Sequence, residues 1–307
     1  MARTTRPHST DYDYHVVTKT LKHELSPKEI DKAWEQFDSG SLSRNELSDL
    51  LAGNHSGWYG NVRTDTNQVL GICTEQYGRV QNADLIGTIE EAFDNVNMTD
   101  YEKNVYSVRD GARLYARYDF PNKTQATQVG DEVGLRLTAN NSFDRSCRIS
   151  FSLGLVRLVC TNGMVTMEDE YSMTKKHTQQ VSVDFIEEAI RNAVQAFDDG
   201  KPLQVYDRLA AKDITQAQGV RILCGLQKKN LLSTTHRDSI ESLWIAPTLE
   251  EDKERNLYNL LNAVTQHLTR EVESERFEYS DGINRKVLKA LDKAARQPTQ
   301  FDALIAA

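Results

Sequence analysis

Val133 to Met164 reads VGLRLTANNSFDRSCRISFSLGLVRLVCTNGM, and two alternating segments face each other within it across a polar turn. In the first, Val133, Leu135, Leu137 and Ala139 point one way while Gly134, Arg136 and Thr138 point the other. In the second, Cys147, Ile149, Phe151, Leu153 and Leu155 alternate with Arg148, Ser150, Ser152 and Gly154. Period-two alternation of this length predicts strands with one buried and one polar face. Asn140-Asn141-Ser142 and Asp144 supply turn residues, so the pair reads as a hairpin. After Gly154 the apolar set becomes Val156, Leu158 and Cys160, which predicts a bulge beside the glycine. Asn162-Gly163 then predicts a tight turn that ends the strand.

Working outward, Arg113 to Phe120 alternates in the same way, giving three successive antiparallel strands. Asn61–Arg63 and Val69–Ile72 flank Asp65-Thr66-Asn67, a second hairpin signal. Asn82 is expected to cap a helix carrying Leu85, Ile86, Ile89 and Phe93 at helical spacing. Ser182 is expected to cap another, amphipathic to Asp199 and stopped by Gly200 and Pro202. Beyond it, helices are expected over about 203–211, 215–229, 235–244, 253–270 and 284–295. The charge run Thr248–Arg255 reads as a solvated helix start. Before the strands, Ser26-Pro27-Lys28-Glu29 opens a helix to Phe37, and Ser43 with Glu46 restarts one to Ala52. Residues 1–24 are polar without periodicity and read as a mobile or partner-docking arm. The fold class is α+β: a central antiparallel sheet flanked by helices with a helical C-terminal third. The divisions are 1–56 (arm and helical hairpin), 57–200 (α+β core) and 201–307 (helical region).

Composition narrows the function. A 39% hydrophobic and 27% charged chain of 307 residues fits a water-soluble globular protein. Its net charge of −8 argues against indiscriminate binding to nucleic acid or membrane, while leaving room for a local basic site. No apolar run reaches bilayer length, and MARTTRPHST lacks the apolar core of a secretory signal, so a cytoplasmic setting is expected. Cys73, Cys147, Cys160 and Cys224 read as buried thiols, and no spacing suggests a metal or cofactor.

Three stretches resemble a phage- and plasmid-borne family known only as a domain of unknown function. They are Asn61-Val62-Arg63 through Val69-Leu70-Gly71, Tyr77 and Arg79-Val80-Gln81-Asn82; Arg157-Leu158-Val159-Cys160-Thr161-Asn162-Gly163-Met164; and Asn259 to Thr265. The resemblance spans roughly residues 57 to 295. Members often carry a His-Asp-Gly-Ser-like turn in the central hairpin, where this chain has Phe143-Asp144-Arg145-Ser146. What the family likeness implies is a mobile-element setting, not a reaction.

The polar face of the expected sheet carries Arg113, Tyr115, Arg117, Arg136, Thr138, Arg148 and Ser150. Arginines and an aromatic on one face suit a phosphate backbone and a stacked base. Outward polar residues are also what any half-buried strand needs. Three antiparallel strands followed by a long helix are similar, at fold level, to ring-forming single-strand annealing proteins. The expected function is therefore a non-enzymatic, self-assembling protein that contacts single-stranded DNA through Arg113, Tyr115, Arg117, Arg136 and Arg148. The rival is an interaction protein that modulates a host factor through an acidic helical surface. Enzymatic readings are weaker: Asp144, Asn162 and Asp169 suit turns, and His177 after Lys175-Lys176 suits an exposed linker or a phosphate contact. His55 beside Ser56 lacks a legible acid and oxyanion site.

Overall fold

The computed structural model describes residues 12–20, 27–41, 43–44, 46–47, 59–127, 130–158, 162–165, 172–178, 181–270 and 277–306. The strands are β1 (Val16–Thr20), β2 (Tyr59–Arg63), β3 (Val69–Cys73), β4 (Glu102–Val108), β5 (Arg113–Ala126), β6 (Glu132–Ser142), β7 (Ile149–Arg157), β8 (Asn162–Val165) and β9 (Ser172–Lys175). The helices are α1 (Pro27–Asp38), α2 (Asn82–Asn95), α3 (Phe185–Asp198), α4 (Gln204–Ala210), α5 (Gln216–Lys228), α6 (Thr234–Ile245), α7 (Leu257–Arg270), α8 (Phe277–Arg296) and α9 (Pro298–Ile305). The fold is α+β, with a small antiparallel sheet β1-β2-β3 and a large one, β4-β5-β6-β7-β8, in which β9 also pairs with β7.

The alternation that defines the central hairpin is realised in the register: Leu135 faces Leu155, Leu137 faces Leu153 and Ala139 faces Phe151. With Leu114, Ala116, Tyr118 and Phe120 they form one apolar face, all buried, on which α2 and α3 pack through Ile86, Ile89, Phe93, Ile186 and Ile190. The same core continues through α4–α9, from Leu209 to Trp244, Val264, Leu288 and Leu304.

Several sequence expectations change. No bulge follows Gly154: Gly134 faces Val156 and Val133 faces Arg157 in unbroken register. The apparent slip arises because Arg157, on the buried face, is itself fully buried. Asn162-Gly163 is not a turn but strand β8, opposite Arg157 and Val156. Asn140–Ser142 belong to β6 rather than the hairpin turn, and Ser142 pairs with Arg113. Asn82 is the first helical residue, not the cap; its amide donates to Tyr14 Oη (2.9 Å) and its oxygen accepts from Asn141 (2.8 Å).

The arm also changes in part. Val16–Thr20 forms β1 against β2, and the Gln81 side chain both accepts from Val16 N (3.0 Å) and donates to Val16 O (2.9 Å). That amide copies a strand neighbour, which lets five unremarkable residues hold their place. The Ser43/Glu46 capping box forms, while the helix beyond it to Ala52, His55, Ser56, Cys160 and Asp169 lie outside the described residues. In the helical third the boundaries agree within a few residues, except that α7 starts at Leu257, α8 starts earlier than expected, and α9 is additional.

Candidate nucleic-acid interface

The five arginine and tyrosine positions singled out on the sheet divide into two groups. Tyr115, Arg117 and Arg136 lie on the second face of the sheet, which α8 reaches: Tyr115 is buried and donates to Asp281 Oδ2 at 3.3 Å. Arg136, also buried, donates through Nε and Nη2 to the two carboxylate oxygens of Asp119, the second at 2.9 Å. Arg117 stands 3.4 Å from the same carboxylate. Burial works against the Arg136 charge, but Asp119 more than restores it, so its proton is held above the ordinary arginine range. Burial likewise raises the Asp281 carboxyl, opposed by Arg285 and Arg136. Burial and then Asp281 push the Tyr115 hydroxyl well above its usual range. These side chains form an internal charge cluster, and Tyr115 has no free ring face to offer a base.

Arg113 and Arg148 belong elsewhere, at one end of the large sheet. There β4 turns into β5, β6 turns into β7, and the chain leaves β9. Arg109 is 61% exposed in the first turn, a 3-10 segment Arg109–Gly111 whose three residues all have left-handed φ (55°, 60° and 101°). Arg145 (φ 65°) and Arg148 are exposed in the second turn. Non-glycine residues seldom hold that backbone region, and such strain gathers at functional turns. Lys175 pairs with Ile149, the residue after Arg148, and both Lys175 and Lys176 are exposed. Asp144 sits among these cations, accepting from Arg109 Nη1 (3.3 Å) and Arg113 Nε (3.4 Å), with its other oxygen turned to Ser146 N (2.9 Å). Arg145 and Arg148 make no ion pair among the described residues. Helices α2 and α3 both begin at this end: Asn82 reaches Asn141, and Lys175 Nζ lies 5.7 Å from the Phe185 ring. Their N-terminal dipoles face this end, where Asp84, Glu187 and Glu188 of their first turns offset part of the positive potential.

The small sheet buttresses this end. Asn61 Nδ2 donates to Phe143 O (2.7 Å), and Gly71 lies so close to the turn that a Cβ there would meet Asp144 Cα at 2.5 Å. Tyr77 Oη donates to Ser142 O (2.6 Å), and its ring stacks on His177 at 4.8 Å. His177 Nδ1 is 3.1 Å from Gly78 O, and the exit from β9 crosses Gly78 so tightly that a Cβ would fall 1.6 Å from Thr178 O. Burial holds the His177 imidazole below its ordinary pKa, opposed by the Gly78 carbonyl. His177 is thus half-buried rather than on an open linker.

A second polar cluster ties the sheet to the helical third. Arg157 Nη1 donates to Asp252 Oδ1 (2.7 Å), and Nη2 lies 2.9 and 2.8 Å from the two oxygens of Asp131. Asn262 adds a bond to Asp252 (3.1 Å), and Asn259 Nδ2 holds the carbonyls of Glu251 and Glu254. Asp252, expected on a solvated helix start, is therefore buried; burial raises its carboxyl and Arg157 opposes that rise. Two motifs about a hundred residues apart in sequence, Arg157–Met164 and Asn259–Thr265, meet here.

The family model described as Domain of unknown function (DUF932) matches residues 69–299. The chain belongs to that family. No curated protein and no solved structure matches it. Within the DUF932 region, the motif residues Gln81, Asn82, Arg157, Asn259 and Asn262 are engaged in internal hydrogen bonds. Of the exposed cations at this end, Arg109, Arg145 and Arg148 belong to the turns, Lys175 ends β9 and Lys176 follows it. Sequence reading found Arg148 but missed Arg109 and Arg145, whose signal is charge in a turn flanked by strands. Among the described residues no cluster of histidine, cysteine and carboxylate side chains could hold a metal, and no helix is long and apolar enough to cross a membrane.

Proposed function

We infer that this DUF932 protein is a DNA-associated, non-enzymatic protein of a phage or plasmid. It binds single-stranded DNA in the host cytoplasm, in the manner of a recombination or annealing protein. The observation that carries this reading is the basic end of the large sheet: Arg109, Arg145 and Arg148 exposed on two turns, and Lys175 and Lys176 exposed at the end of β9, in an acidic chain. The contact moves from the sheet's polar face, which is internally paired, to the sheet's end. Cations at uneven spacing on turns suit a flexible strand better than the fixed grooves of a duplex. The mobile-element setting rests on the sequence likeness alone.

Fluorescence anisotropy of a labelled single-stranded oligonucleotide tests the reading. With about five phosphate contacts and a slope near −0.7 per contact, affinity should fall on the order of 100-fold between about 50 and 200 mM salt. A flat titration at low salt would remove nucleic acid from the account and turn attention to a host protein partner.

A further inference from the structure

The turn that carries Arg109 needs outside support. Arg109 and Asp110 both hold left-handed backbone (φ 55° and 60°) before Gly111 (φ 101°), and two consecutive side chains there carry a cost that an unsupported turn would shed. Three contacts from outside β4 and β5 hold it. Tyr14 Oη donates to Gly111 O (2.6 Å), Arg63 Nη1 donates to Asp110 O (3.0 Å), and Gln68 Nε2 donates to Asp110 Oδ2 (3.0 Å). The fit is close: a Cβ on Gly111 would stand 2.8 Å from Tyr14 Oη and 2.9 Å from Arg63 Nη1.

Tyr14 touches both cation-bearing turns. Its hydroxyl also accepts from Asn82 Nδ2 (2.9 Å) and shares a hydrogen bond with Ser107 Oγ (3.1 Å). Its ring lies under the Arg63 guanidinium (3.9 Å) and edge-on to Phe143 of the β6–β7 turn (6.4 Å). Tyr14, Val16, Leu70, Ala112 and Phe143 form a small apolar core separate from the main one. At 6% exposure Tyr14 cannot itself reach a bound strand. It precedes β1, outside the residues 69–299 that match the family, and Arg79 Nη1 helps pin the chain beside it by donating to Val16 O (3.1 Å).

We propose that Tyr14 is a positioning residue of the basic end: its hydroxyl holds Arg109–Gly111 in the left-handed form that presents Arg109 to a phosphate. The proposal rests on the reading of this end as the DNA contact. Without the hydroxyl, Gly111 O loses this donor, the turn relaxes, and Arg109 leaves its place. The ring remains in Tyr14→Phe, so the packing on Phe143 is kept and Arg145 and Arg148 stay where they are.

Fluorescence anisotropy of a labelled single-stranded oligonucleotide across a salt series tests this on the full-length wild type, Tyr14→Phe, Arg109→Ala and the double variant. Arg109→Ala removes one phosphate contact, so its salt slope should be smaller by about 0.7. Tyr14→Phe should show the same smaller slope, and the double variant should lose nothing beyond Arg109→Ala. A purely structural loss would weaken binding at the wild-type slope and add to the effect of Arg109→Ala. Trypsin supplies a readout without DNA: cleavage after Arg109 should be faster in Tyr14→Phe than in wild type, at a temperature where melts show both folded. If Tyr14→Phe does not fold, Gln68→Ala, at an exposed position and releasing Asp110, takes its place in both assays. A wild-type slope, additive losses or unchanged cleavage after Arg109 would each overturn the proposal. Absence of binding by the wild type would overturn the DNA reading instead, and the cleavage rate would then decide the role of Tyr14 alone.

Discussion

Arg157 shows how one residue can mislead a reading of pattern and then explain it. On a strand it occupies an apolar position, fully buried, and its charge is balanced by Asp131 and Asp252 from two separate segments. A buried ion group is weak evidence of net stability, but removing one partner strands the others. Arg157→Met should therefore cost about 3–5 kcal/mol in denaturant unfolding, with much recovered when Asp131 and Asp252 are also made Asn and Leu. A loss within about 0.5 kcal/mol would mean the triad ties nothing together. His177 gives a pH signature. Its folded pKa lies below the ordinary 6.5, so between those values the unfolded chain binds more protons, and stability drops as pH falls below about 6.5. The wild type should lose more melting temperature between pH 7.5 and 5.5 than His177→Asn does. Equal losses would place the titration elsewhere.

At the scale of elements, β5, β6 and β7 were legible because alternation reports a one-sided burial directly. The helix faces of α2 and α3 were legible for the same reason, with buried Leu85, Ile89, Ile186 and Ile190. What was illegible is contact between distant segments. Nothing local in Tyr115 or Arg136 signals that α8 and Asp119 complete their surroundings. Nothing in VVTKT signals that Gln81 will hold it as a strand. Asn162-Gly163 reads as a turn on propensity, yet strand pairing with β7 prevails. The tight crossing at Gly78 offers a test at this scale. Gly78→Ala should displace the β9 exit that carries Lys176 and His177, destabilising by about 1–3 kcal/mol and weakening oligonucleotide binding. Unchanged binding and stability would show that the exit shifts freely.

For the whole molecule, charge distribution matters more than net charge. A chain at −8 would seem a poor ligand for DNA, but five exposed cations, Arg109, Arg145, Arg148, Lys175 and Lys176, stand at one end of the large sheet. Long-range fields of this kind guide association and weaken with ionic strength. The most direct measurement compares oligonucleotide binding by wild type, Arg145→Ala/Arg148→Ala and Arg117→Ala across a salt series. The basic-end account predicts that the double variant binds more weakly, with a salt slope smaller by about 1.4, while Arg117→Ala binds as wild type does. Loss of binding in Arg117→Ala with the double variant unaffected would contradict it and return the contact to the sheet face.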